Sequence, residues 1–127
     1  MEYTYEDQVM AYDTDYQGVA HYSSYYRFVT NAISSFAEKK LKRVLSKHKN
    51  LWFVIVESHA NYMKPLHMWD RIEIKIKPQA QEKKVIVNFE IHKDKAITTK
   101  GYLVQMLIDR EKWKSVSIPE DIRNAVK

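Results

Sequence analysis

Only one stretch of this 127-residue chain repeats its apolar residues at helical spacing over many turns. From Ser24 to about Lys47, the residues Tyr25, Val29, Ala32, Ile33, Phe36, Leu41, Val44 and Leu45 fall on one stripe. Tyr26, Phe28 and Ala37 widen that stripe over the first three turns, and a helix apolar over most of its circumference is a buried one. Its last two turns are charged and must emerge into solvent, with Asn50 expected to close the helix as a left-handed cap. A single buried helix has to be covered by whatever else the chain builds.

What surrounds it has a period of two. Residues 3–11 read as a first strand and 51–63 as a long apolar-rich one. Between 70 and 77, Ile72, Ile74 and Ile76 alternate with Glu73, Lys75 and Lys77. Val85, Val87, Phe89 and Ile91 share a face over 84–92, and a last long strand runs over 96–109. Turn residues sit at 64–69, 78–83 and 92–95, so the four later strands read as an antiparallel meander. Pro119 starts a short terminal helix with Glu120 and Asp121 in its first turn. The order β-α-β-β-β-β predicts a two-layer α+β domain, with a curved antiparallel sheet of about five strands wrapped round the long helix. Residues 1–127 are expected to form one domain. An RNA-recognition-motif fold needs a second core helix and a Gly-Phe/Tyr-rich strand, which the sequence lacks.

Cysteine is absent, which removes disulfides, thiolate metal sites and a cysteine nucleophile, and fits a reducing compartment. No apolar run approaches the ~20 residues that span a bilayer, and the acidic start MEYTYEDQ does not read as a signal peptide. These features point to a cytoplasmic protein without a membrane partner. The net charge of +5 invites a nucleic-acid reading, but it is unevenly placed. Residues 1–37 are acidic, with Arg27 their only Lys or Arg. Lys39, Lys40, Lys42, Arg43, Lys47 and Lys49 crowd the end of the helix, where cations complement its dipole. A solvated helix end is favoured there over a phosphate-binding patch, and nucleic acid is a disfavoured partner.

The chemistry-bearing residues cluster just before the helix, in Asp13-Thr14-Asp15-Tyr16-Gln17-Gly18-Val19-Ala20-His21-Tyr22-Ser23-Ser24. Gly18 opens backbone conformations closed to other residues, and Ser23 or Ser24 can cap the helix. A carboxylate delivered to a helix start lies near unpaired N–H groups and the positive end of the dipole. An Asx-type turn with an ordinary N-cap accounts for the same residues equally well.

The stretch DTDYQGVAHYSSYYRF resembles the signature of the 4-hydroxybenzoyl-CoA thioesterase branch of the hotdog-fold superfamily. Tyr62-Met63-Lys64-Pro65 followed by Asp70, and Ile118-Pro119 near the end, resemble later family features in the same order. The resemblance implies a hotdog fold and hydrolysis of an acyl-CoA thioester without cofactor or metal. It places the catalytic carboxylate on Asp15, as nucleophile or as general base for water. Asp13 is read as a loop anchor bonded to backbone N–H groups, a cap of ~1 kcal/mol. Gly18 and Val19 are candidate backbone donors to the thioester oxygen, with a plain turn glycine as the alternative.

Some relatives carry a histidine seven residues after the catalytic Asp; here that position is Tyr22 and the histidine is His21. Either His21 substitutes through a changed loop, or Tyr22 lines the pocket and the histidine's role is absent. Tyr25 and Tyr62 are further candidates for the acyl pocket, and Lys64 and Arg71 for contacts to CoA phosphates. A Ser24-His21-Asp15 triad is disfavoured, because one short loop rarely presents all three in line. His59, His67 and His92 lack ligand spacing.

Apolar residues on both faces of the last strand, Leu103 and Leu107 against Val104, Met106 and Ile108, imply a bare sheet face and hence a homodimer or homotetramer. Three alternatives compete with the hydrolase reading: a hotdog dehydratase, a hotdog protein that binds acyl-CoA or acyl-carrier protein without turnover, and a basic nucleic-acid binder.

Overall fold

A computed structural model describes residues 1–127. Strand β1 (Tyr3–Gln8) leads through a 3₁₀ turn to helix α1 (Tyr22–Phe36). A π-helical turn (Ala37–Leu41) and a short helix α2 (Lys42–Leu45) continue the rod. Four long strands follow: β2 (Leu51–Tyr62), β3 (Arg71–Gln81), β4 (Lys84–Lys93) and β5 (Ala96–Asp109). A two-residue strand β6 (Lys114–Ser115) and helix α3 (Glu120–Ala125) end the chain.

The five long strands form one antiparallel sheet in the order β1-β3-β4-β5-β2, with β6 paired to β5. The sheet curls round α1, as the periodicities predicted. Its helix-facing side chains are those of the period-two runs: Ile72, Ile74 and Ile76, then Val85, Val87, Phe89 and Ile91, then Leu103 and Leu107. They meet Phe28, Val29, Ala32 and Phe36 from the helix. The expected four-strand meander is corrected to three, β3-β4-β5. Strand β2 crosses to the far edge and pairs with β5 instead of β3. Turn residues at 64–69 do not distinguish a hairpin from a crossover, because they report local backbone geometry and not the strand reached next.

Two glycines fit two different demands. Gly18 has φ +78° in the loop before α1. Gly101, in the middle of β5, is wanted for space: a β-carbon there would overlap the His59 carbonyl and the Phe89 ring.

The ends of the helical rod differ from expectation. The helix begins at Tyr22 with His21 as N-cap, and no side chain caps it. Ser24 Oγ is turned back to donate to the Asp13 carbonyl at 2.8 Å, and Ser23 Oγ meets His21 Nδ1 at 2.6 Å. The rod ends at Ser46 in right-handed conformation, so Asn50 is not a left-handed cap. A C-terminal contact holds that end instead, with His48 Nε2 3.0 Å from the Asp121 carboxylate. The histidine pulls the Asp121 carboxyl below its ordinary range.

The bare sheet face expected on β5 is also corrected. Val104 and Ile108 are only 7% and 6% exposed. The exposed apolar surface lies one strand further out, at Ile55 and Val56 of edge strand β2. Val56 is the unpaired residue where the β2–β5 register shifts between Ile55 and Glu57. That strand carries 12 residues and is hydrogen-bonded on one side only.

Candidate functional site

The loop between β1 and α1 is built on Asp13, whose side chain is almost completely buried at 1% exposure. Its Oδ2 accepts the Met10 N–H at 2.8 Å, the backbone contact expected of a loop anchor. The stronger partner is Arg27, one turn into α1. Arg27 Nε and Nη2 donate to the two carboxylate oxygens at 2.7 and 2.6 Å, a two-pronged contact. The guanidinium also lies 4.7 Å from the Phe28 ring centroid and 3.6 Å from Asp7. Its hydrogen bonds to Asp13 hold Arg27 more firmly protonated than an ordinary arginine. The Asp13 carbonyl in turn receives the His21 N–H at 3.0 Å as well as the Ser24 hydroxyl. One residue therefore ties both ends of the loop to the helix start. Sequence reasoning missed Arg27; the available signal was its position as the only Arg or Lys in the acidic residues 1–37.

Between those ties, residues 14–20 form a small hairpin, bridged at Thr14–Ala20. Asp15 N donates to the Val19 carbonyl, and Gly18 N to the Asp15 carbonyl, each at 3.0 Å. The Asp15 carboxylate accepts the Gln17 N–H at 2.8 Å, so the Asx-type turn is present. The hairpin rests on the 66–68 segment through Ala20 N to the Leu66 carbonyl at 2.7 Å and Met68 N to the Gly18 carbonyl at 3.0 Å. Asp15 itself is exposed on this hairpin. Its bonds come from its own turn and not from the helix N-terminus.

The donors available beside it also differ from expectation. The Gly18 N–H is engaged within the turn, and the Val19 N–H points toward Asp15 Oδ1 at 3.4 Å. At the helix start the N–H groups of Tyr22 and Ser23 donate to no group of the chain. A helix N-terminus with free donors favours an anionic oxygen.

Beside this helix start a cleft of about 310 Å³ is lined by Val19, Ala20, Tyr22, Tyr25, Tyr62 and the Met63–Pro65 segment. Tyr22, Tyr25, Tyr62 and Lys64 are thus brought together, from the first turn of α1 and the end of β2. Tyr25 and Tyr62 meet edge to face at 4.7 Å. Burial raises the Tyr25 phenol above its ordinary value, opposed by a hydrogen bond from the Leu66 backbone. Burial also raises Tyr62, with Tyr26 beside it. Both phenols are therefore neutral near pH 7. His21 faces Ser23 rather than any carboxylate. Arg71 does not join the cleft; it lines a separate polar depression with Glu6, Asp7, Glu73 and His92. The basic run at the end of the rod presents Lys39, Lys40, Lys42 and Arg43 to solvent, with Lys42 paired to Glu38 at 3.0 Å.

Tyr25 supports a prediction about alkaline pH. A phenol whose ionisation is disfavoured in the fold stabilises the fold below its unfolded pKa, and that contribution is lost as pH rises through the raised folded value. Thermal stability should fall above about pH 10, and Tyr25→Phe should flatten that fall. A wild-type melting curve insensitive to pH across that window would contradict the burial described for Tyr25.

Comparison with known proteins fits this architecture. The profile of the thioesterase-like superfamily matches residues 9–126. The chain belongs to that superfamily. Its fold is that of a 1,4-dihydroxy-2-naphthoyl-CoA thioesterase from Synechocystis, at 20% identity and a TM-score of 0.87, covering 99% of this chain and 96% of that one. A gentisyl-coenzyme A thioesterase superposes with a TM-score of 0.84 at 22% identity, over 98% of this chain and 99% of its own. A Staphylococcus aureus hypothetical protein solved in complex with CoA superposes with a TM-score of 0.87 at 15% identity, over 99% of this chain and 82% of its own. The hotdog fold of this superfamily member is therefore established, with α1 as the enclosed helix and no helix long and apolar enough to cross a membrane.

Proposed function

We propose that this thioesterase-like protein hydrolyses an acyl-CoA thioester in the cleft at the start of α1, in the manner of the 4-hydroxybenzoyl-CoA thioesterase branch. One observation carries the reading: the exposed Asp15 turn is hydrogen-bonded to Val19, which lines the tyrosine-lined cleft at the helix start, where the Tyr22 and Ser23 N–H groups are unengaged. The thioester carbonyl oxygen takes the helix-start N–H groups, which stabilise the negative charge that develops on it. The Asp15 carboxylate removes a proton from water as the water oxygen adds to the carbonyl carbon, and CoA leaves as the thiolate. Direct attack by Asp15 on the carbonyl carbon, expelling CoA thiolate and leaving a mixed anhydride that water hydrolyses to the acid and free Asp15, uses the same placement. Gly18 supplies the turn's left-handed residue, and its role is shape and not donation. Val19, Tyr22, Tyr25 and Tyr62 surround the acyl group, and Lys64 at the rim meets a CoA phosphate. The acid partners around Arg71 make it a poor phosphate site within this protomer.

Free-thiol release across aryl, short-chain and long-chain acyl-CoAs tests the reading. Turnover on at least one class supports it. Tight binding without turnover would replace it with a non-catalytic acyl-CoA binder.

Asp15 is exposed on a single protomer, whereas such chemistry gains from a dry site. We infer that a second copy covers this region, joined through the free edge of β2 around Ile55 and Val56 in a symmetric, continuous sheet. Light scattering at micromolar concentration should give the mass of a dimer or tetramer. Val56→Lys should shift it toward monomer and lower turnover together. A monodisperse wild-type monomer would refute a shared site.

A further inference from the structure

A second cavity lies at the opposite end of α1, and nothing in the proposed hydrolysis uses it. Its volume is about 210 Å³. Phe36, Ala37 and Leu41 from the π-helical turn face Phe53, Val85 and Val87 across it. No ionisable side chain lines it. For comparison, an engineered apolar cavity of about 150 Å³ stays dry and binds benzene. The cavity here opens to solvent at Ser34 and leaves apolar wall area that an occupant would remove from water.

Two features separate it from a packing fault. The first is the π-helical turn itself, Ala37–Leu41, which borders the cavity. Such turns insert one residue into the helical ladder and recur at functional sites. The second is Gln105, which also lines it. Gln105 alternates in phase with Leu103 and Leu107, so it sits on the helix-facing side of β5, paired in the sheet with Val85 and Ile55. Its carboxamide makes no hydrogen bond to any group of the chain. The carboxamide is not shut off from solvent, so it is a free donor and acceptor at the edge of the apolar walls. Apolar walls with one convergent polar group are the usual make-up of a small-molecule site.

The cavity is not an extension of the cleft. Tyr25 and Ile33 are separated along α1 by ~12 Å at 1.5 Å per residue. Phe53 and Tyr62 are separated along β2 by ~30 Å. Val29 and Ala32, both 0% exposed, fill the interior between the two ends.

We propose that this cavity is a separate binding site for a small neutral amphiphile: an aliphatic or aryl body of about benzene size or somewhat larger, with one hydrogen-bonding head held by Gln105. The missing ionisable groups exclude a charged head inside the walls. The size excludes a peptide or a second helix.

The test uses 1-octanol and n-octane as probes on the intact protein, followed by amide chemical shifts and by thermal shift. Octanol should perturb the amides of Ala37, Leu41 and Gln105 and raise the melting temperature. Gln105→Leu should weaken octanol about tenfold, the usual scale for one hydrogen bond, and leave octane unchanged or tighter. Ala37→Leu, which fills the cavity, should abolish both, with thiol release from acyl-CoA unaltered. If Ala37→Leu does not fold, Ser34→Trp at the exposed mouth replaces it. The proposal fails if neither probe binds. It fails equally if octanol perturbs only Tyr22, Tyr25 and Tyr62, or if Gln105→Leu weakens both probes alike. A loss of octanol binding with hydrolysis intact separates this site from the catalytic reading.

Discussion

Asp15→Asn should lower turnover by ~10²–10⁴-fold if Asp15 is the general base, and by more if it is the nucleophile. The substitution keeps side-chain shape, and the Gln17 N–H can still donate to the remaining carbonyl oxygen. The turn therefore persists, and folding stability should change by less than about 1 kcal/mol, since the group is solvent-exposed. Binding of substrate should move little, because in the proposed mode Tyr22, Tyr25, Tyr62 and Lys64 make the other contacts. The decisive comparison is turnover against the binding constant of an unreactive thioether analogue. Wild-type turnover in Asp15→Asn, on a substrate the native protein hydrolyses well, would remove Asp15 from the chemistry while leaving the fold untouched.

Arg27→Ala should produce the larger loss of stability. It leaves the Asp13 carboxylate, 1% exposed, without its two-pronged partner. Removing one member of a fully buried pair costs about 3–5 kcal/mol; with Arg27 itself 30% exposed, water partly replaces it and the loss is about 2–3 kcal/mol. The melting temperature should drop by ~10 °C. The loss expected here exceeds the ~1 kcal/mol of a simple backbone cap, because the sequence showed the acceptor and not the guanidinium bound to it. Arg27→Lys should recover only part of the loss, since an ammonium cannot make both bonds in one plane. A differential scanning measurement on the three proteins decides the matter, and equal stability of Arg27→Ala and wild type would exclude the clamp.

These two residues mark the boundary of what the sequence made legible. The helix, the strands and the wrapping of one by the other were readable because burial imposes periods of 3.6 and 2, and Ile72-Ile74-Ile76 or Val85-Val87-Phe89 cannot be placed any other way. The motif resemblance brought the Asp15 loop, Tyr22, Tyr25, Tyr62 and Lys64 to notice, and the fold sets Val19 and Ala20 of that loop beside Tyr22, Tyr25, Tyr62 and Lys64 in one cleft. What depended on long-range partners was not readable. Arg27 reads as one more charge on a helix until the loop folds back on it. The edge position of β2 depends on β5, far along the chain. The engagement of Gly18 N–H, and the freedom of Tyr22 N–H, follow from hydrogen bonds inside a seven-residue hairpin whose exact register no residue type announces. Ser23 and Ser24 illustrate the same limit. Both are good capping residues, but Asp13 supplied a nearer acceptor for one and His21 a nearer partner for the other.

The crossover of β2 has a consequence for how the chain is made. Leu51 pairs with Asp109 and Tyr62 with Thr99, so every partner of this strand is synthesised after β3 and β4. With ~5–20 residues added per second, β2 waits for on the order of seconds on the ribosome with both of its edges open. During that wait Trp52, Phe53, Val54, Ile55 and Val56 form an apolar, extended run that can pair with a neighbouring nascent chain as readily as with its own. Pairing over such separations also slows the closing step once the chain is complete. Glu57 and the irregular register next to it interrupt the run where it would otherwise be most adhesive. The strand that forms the long open edge of the folded protein is therefore also its point of greatest exposure to misassembly, and slower translation between residues 62 and 99 would lengthen that exposure.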